Sequence, residues 1–141
     1  MKAIIDPALK KIPPPAQILD ETIATLPQNK LAPNYVKSHF SESLSFVAVS
    51  TYAKFQVYQK NAAGLVADSF ITKYREQLQG ATTQSILQTF MPLAVNFELR
   101  TSQMRRSRAG STFEYIVLRM LQRIDIKSER TARRKLFIQP S

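Results

Sequence analysis

Between Asn34 and Asn61 the apolar positions recur at helical steps. Phe40, Leu44, Val47, Thr51, Phe55 and Tyr58 lie three or four residues apart, the spacing that gathers side chains on one helix face. The Val, Ser and Thr content of residues 43–51 lowers helix propensity and allows a break there. Gly64 reads as a separator before a second helix striped by Leu65, Phe70, Ile71, Tyr74 and Leu78, with Gly80 placed to cap its C-terminus. A third helix starts near Thr82 or Thr83, carries Ile86, Leu87, Phe90 and Met91, and is kinked or ended by Pro92. Leu93–Leu99 is short, apolar and ambiguous, and Arg100–Gly110 reads as a loop. The clearest helix follows it. Phe113, Ile116, Val117, Met120, Leu121 and Ile124 fall at spacings of three, one, three, one and three, one continuous face over three turns. Beyond it, Ile126–Glu129 alternates like the start of a strand, and Leu136-Phe137-Ile138 is a second strand candidate.

The first 34 residues follow no such rhythm. They hold six of the eight prolines, including Pro13-Pro14-Pro15, and read as an extended arm or surface wrap. Within the arm a short helix over Ala16–Leu26 is predicted, with Ile18, Leu19, Ile23 and Leu26 on one side and Pro27 ending it. The expected organisation is a proline-rich arm at 1–34 and a helical domain with a basic C-terminal segment at 35–141. The expected class is mainly α, a helical domain leading into the first strands of an incomplete α/β unit.

Composition narrows the chemistry. With 141 residues and 44% hydrophobic side chains the chain can bury a core. No cysteine is present, which excludes disulfides, thiolate metal sites and cysteine nucleophiles and fits a cytoplasmic setting. His39 stands alone, so a histidine-rich metal site is excluded. The N-terminus lacks the apolar run of a signal peptide, and no eighteen consecutive apolar residues occur, so no membrane association is expected. Net charge is +10, unevenly spread. Residues 1–99 carry nine basic and seven acidic side chains, residues 100–141 eleven basic and three acidic. Charge concentrated this way is an electrostatic footprint for a polyanion.

Within the basic segment, Arg105-Arg106-Ser107-Arg108-Ala109-Gly110-Ser111-Thr112-Phe113-Glu114 sets three arginines, a glycine and one carboxylate at an expected loop-to-helix junction. Arginines there suit phosphate contact. Ser111-x-x-Glu114 before an apolar run also has the form of a capping box, with Ser111 and Glu114 each accepting the other's backbone N–H. Glu114 is therefore open to two readings, a helix cap or a carboxylate ligand for a divalent ion between protein and phosphodiester. Asp125-Ile126-Lys127 is formally acid-x-lysine. On one helix, however, Asp125 would stand roughly 16 Å from Glu114, too far to share an ion, so it reads as a helix-end or turn residue.

The series Arg105-x-x-Arg108-Ala109-Gly110-x-x-Phe113-Glu114, followed by an apolar helix and Ile126-Lys127-Ser128-Glu129, resembles a segment of type II restriction endonucleases of the PD-(D/E)xK superfamily. The resemblance covers about residues 97–141. It implies that the helix lies just before the catalytic sheet of an α/β nuclease core. It further implies that Glu114 is catalytic and supports a Mg²⁺ site, and that basic residues near it contact duplex DNA: Arg105, Arg106, Arg108, Lys127, Arg130, Arg133 and Arg134. The family's strand aspartate would fall near Leu136, where none stands, and no acid-x-lysine strand follows. The chain thus resembles the N-terminal, DNA-binding portion of such an enzyme, binding without cutting alone. A second chain or C-terminal half would complete the catalytic core, and a homodimer would match a palindromic site.

Two other readings of the residues stay open. One is a self-contained helical nucleic-acid-binding or regulatory protein held by its basic tail. The other is an interaction module whose basic face meets an acidic protein. Scattered glycines and a solitary histidine give no phosphate loop and no Ser/His/Asp set. The aromatic residues at helical spacing read as core, with Tyr115, beside Glu114 and off the main apolar face, the exception that DNA could reach.

Overall fold

A computed structural model describes residues 2–124. Every regular element among them is helical: α1 (Lys2–Leu9), α2 (Pro15–Thr25), a 3₁₀ turn (Gln28–Leu31), α3 (Pro33–Ser38), α4 (Phe40–Lys73), α5 (Arg75–Leu78) and α6 (Thr83–Ile124). The mainly α class is as expected. The two strand candidates at 126–129 and 136–138 lie outside the described residues.

The chain forms two compact units. In the first, residues 2–13 join residues 55–108. Here α4 and α6 run antiparallel, as their pairings show. Gln59 bonds Thr101, 2.8 Å apart, while Phe70 meets Phe90 with ring centres 5.1 Å apart. One residue per turn faces inward: Phe55, Ala62, Val66 and Phe70 from α4, Leu93, Phe97 and Thr101 from α6. Helix α1 adds Ile4, Ile5, Ala8 and Leu9, and Ile12 beyond it is buried too. Asp6 and Arg100 pair at 2.9 Å.

The second unit joins residues 14–54 with the described residues from 109 onward. Leu19, Ile23, Leu31, Val36, Val47, Ile116 and Met120 form its core, and Asp20 pairs with Arg119 at 2.9 Å. Buried threonines satisfy themselves: Thr22 and Thr51 each donate to the carbonyl four residues back at 2.7 Å. Ser43 is 1% exposed, and its hydroxyl has no partner among the described residues.

Several expectations are corrected. Residues 2–34 are not an extended arm, because α1, α2, a 3₁₀ turn and the start of α3 fall within them. Two of their prolines start helices, Pro15 and Pro33 at first-turn positions, where a missing N–H costs nothing, and Pro7 lies inside α1. The expected Ala16–Leu26 helix is present as α2, stopping before Pro27. Gly64 does not separate two helices, because α4 runs through it. A helical glycine costs about 1 kcal/mol, less than burying either Val66 or Phe70, at about 1.5–3 kcal/mol each. Gly80, at φ 76°, does close α5, with Ala81 N–H bonding the Leu78 carbonyl at 3.2 Å. Thr82 then caps α6, its hydroxyl accepting the Ser85 N–H at 3.1 Å.

Pro92 neither ends α6 nor separates it from Leu93–Leu99, and the expected loop at 100–110 is helix. Arg, Gln, Met and Ala dominate that stretch and favour helix, while the buried Leu93, Phe97 and Thr101 carry the register through it. The buried faces are also narrower than the stripes suggested. Leu65, Ile71, Leu87, Met91 and Phe113 are exposed, while Ile116 and Met120 are buried.

Candidate nucleic-acid interface

Arg105, Arg106, Arg108 and Glu114 all lie inside α6, far from its ends. The loop-to-helix junction is therefore absent, and with it the capping box. Ser111 is a mid-helix residue, so Glu114 has no free helix terminus to cap and no concentrated N–H groups beside it to attract an anion. Its side chain is exposed.

The arginines divide by role. Along α6 the inward row passes through Leu93, Phe97 and Thr101, and Arg105 and Arg108 continue it, both half-buried. The Arg108 guanidinium donates to the Pro13 carbonyl at 2.7 Å. That carbonyl precedes Pro14 and Pro15, neither of which has an N–H to offer, so a side chain from a distant segment supplies the donor. Burial lowers the Arg108 pKa from its ordinary value, yet a guanidinium remains charged. Arg100 and Arg119 are likewise held, by Asp6 and Asp20. Arg106 points to solvent.

In the second unit, Arg123 lies next to Ile124, the last described residue of α6. It is half-buried and directly precedes the basic residues Lys127, Arg130, Arg133 and Arg134, which lie outside the described residues. Sequence reading missed Arg123 as a site candidate. Its signal was its place in the charge-rich third of the chain. The structural pairings of Arg100 and Arg119 had no local signal, because their partners lie 94 and 99 residues away.

A metal ion finds little here. Mg²⁺ prefers several hard oxygen ligands, and among the described residues no three acidic or histidine side chains gather to hold one. Glu114 offers a single carboxylate. The described residues therefore do not fit a Mg²⁺ site by themselves. His39 stacks on Tyr35, with ring centres 4.3 Å apart, and has a structural surrounding. No helix of the described residues is long and apolar enough to cross a membrane.

The chain matches no family model, no curated protein and no solved structure.

Proposed function

We propose that this chain binds duplex DNA, chiefly through Arg123 and the basic segment at Lys127, Arg130, Arg133 and Arg134. The observation that carries the reading is the charge distribution: eleven basic against three acidic residues from 100 to 141. Arg106, exposed on α6, adds a separate phosphate contact. Arg105 belongs to the same proposal, while Arg108 acts by holding Pro13. Affinity from such residues is electrostatic and little dependent on sequence.

The finer part of the proposal is that the chain is the DNA-holding portion of a type II restriction endonuclease. The arrangement in its favour is that all positions from Arg105 to Glu114 of the resembling motif share α6. Glu114 would then be the one catalytic carboxylate this chain contributes, with further acids brought to it by a second polypeptide. Alone, the chain holds DNA without hydrolysing it.

Binding of the full chain to a fluorescent duplex across a salt series tests the first part. The logarithm of affinity should fall linearly with the logarithm of salt, by about 0.9 per phosphate neutralised. The joint change Arg130→Ala, Arg133→Ala and Arg134→Ala should reduce that slope by roughly 2–3. Absence of binding at low salt would overturn the reading and favour an acidic protein partner. A parallel cleavage assay with Mg²⁺ tests the second part: duplex cutting by this chain alone would overturn the division of labour.

A further inference from the structure

We propose that the first unit carries a phosphate-binding surface of its own, in which Lys10 and Lys11, set beside the α6 arginines by the fold, contact the sugar–phosphate backbone of duplex DNA. The inference rests on the DNA-binding reading and extends it to a segment far from the basic end of the sequence.

The surface is built by packing. Along the chain, Lys10 and Lys11 belong to the nearly balanced residues 1–99, nine basic against seven acidic. The fold moves them to the arginines. Ile4, Ile5, Ala8 and Leu9 anchor α1 by burial, as does Ile12 beyond it. Two contacts set its register on α6: Asp6 pairs with Arg100 at 2.9 Å, and Arg108 donates to the Pro13 carbonyl at 2.7 Å. Lys10 and Lys11 lie between these ties. Both side chains are exposed, yet their backbone is fixed. The Lys10 N–H bonds the Asp6 carbonyl and the Lys11 N–H the Ala8 carbonyl, each at 3.1 Å. With about 3.8 Å between consecutive Cα atoms, the Lys11 Cα stands within roughly 13 Å of the Arg108 guanidinium. That is close to the screening length of about 10 Å at 0.1 M salt, and the lysine side chain can shorten it, so the fields of the two segments add.

Little acid offsets this charge. Residues 7–13 and 99–108 contain no Asp or Glu. Neither do residues 55–67, the part of α4 that Gln59 joins to Thr101 of α6. Asp6 is taken by Arg100, and Glu98 accepts from Gln59 and Ser102, each at 3.4 Å. The surface also lacks what an acidic protein partner would need. None of the exposed large hydrophobic residues falls within 7–13 or 100–108. Protein interfaces centre on apolar and aromatic anchors, whereas DNA interfaces are polar and strongly basic. Positive charge without such anchors selects phosphate. Lys10 and Lys11 make the contacts; Arg108 keeps its bond to Pro13 and, with Arg105, adds to the field beneath them.

Binding of the full chain to a fluorescent duplex across a salt series counts the contacts. Lys10→Ala with Lys11→Ala should lower the slope of log affinity against log salt by roughly 1–2, and weaken binding about tenfold or more at roughly 0.1 M salt, at an unchanged urea midpoint. Lys10→Arg with Lys11→Arg should retain the slope. Lys60→Ala with Lys73→Ala removes the same charge from exposed positions of α4 and should change the slope by less than about 0.5. No binding by the unaltered chain at low salt would overturn the DNA reading and this inference with it. Binding whose slope is untouched by Lys10→Ala with Lys11→Ala would overturn this inference alone. A lowered urea midpoint at that same slope would assign the two lysines to offsetting the carbonyl end of α1 instead. Poly-glutamate that binds as tightly as the duplex, and loses affinity in the same variant, would overturn phosphate as the ligand.

Discussion

Replacing Arg108 with alanine separates folding from binding more sharply than any other change. In the first unit its guanidinium donates to the Pro13 carbonyl at 2.7 Å. Removing it leaves that carbonyl without a protein donor, at a position where neighbouring prolines cannot supply one. A hydrogen bond from a charged group contributes about 1.5–3 kcal/mol when well desolvated. Arg108 is only half-buried, and water can replace part of the bond, so about 1–2 kcal/mol is expected, including the packing of its aliphatic stem. For a chain of this size that is a fall in Tm of roughly 3–10 °C. Urea unfolding followed by circular dichroism gives the stability. Salt-dependent DNA binding, corrected for the folded fraction, gives the contact count. Arg108→Ala should lower the first and leave the salt slope unchanged; Arg106→Ala should do the reverse, lowering the slope by about 0.9. An Arg108→Ala variant with wild-type unfolding and a reduced slope would refute the assignment and return Arg108 to the DNA.

Three smaller changes probe the continuity of α6 and the second unit's core. Gly110→Ala should stabilise by about 0.5–1 kcal/mol, because a Cβ there meets nothing within 4 Å and alanine is the better helix former; a loss of stability in thermal melts would restore the turn that the sequence suggested. Glu114→Ala should shift stability by less than about 0.5 kcal/mol, since an exposed mid-helix residue caps nothing, whereas a capping residue would cost about 0.5–2 kcal/mol in the same melts. Ser43→Ala should raise stability by about 1 kcal/mol by removing a buried hydroxyl that lacks a partner, visible as a higher urea midpoint at unchanged slope; a lower midpoint would mean that the hydroxyl is bonded in solution.

Helix type was readable from spacing, but helix extent was not. The steps of three and four at Val47, Thr51 and Phe55 report the local period, which is why α4 and the last third of α6 were recognisable. Punctuation by Gly64, Pro92 and Gly110 misled, because each breaker carries a local cost of about 1–3 kcal/mol, while the residues that override it are buried partners far along the chain. Phe70 against Phe90 and Gln59 against Thr101 leave no trace in either sequence window. The exposed Leu87 and Met91 show the same limit: periodicity places residues on a face, but which of two adjacent faces is covered depends on the partner helix.

The arginines carry the consequence for function. Read as letters, Arg100, Arg105, Arg106, Arg108, Arg119 and Arg123 form one basic block available to a polyanion. In the fold, Asp6, Pro13 and Asp20 claim three of them, and each claim ties α6 to a segment from the first twenty residues. The start of the chain thus uses α6 as a scaffold, and at Arg100 and Arg119 a carboxylate offsets the positive charge. On the DNA-binding proposal, phosphate contact falls chiefly to Arg106, Arg123 and the basic residues after Ile124. Net charge therefore overstates the binding surface along the helix itself. On the DNA-binding proposal, a salt slope set by Lys127, Arg130, Arg133 and Arg134, rather than by the arginines between 100 and 119, is the result expected if α6 serves mainly as a scaffold.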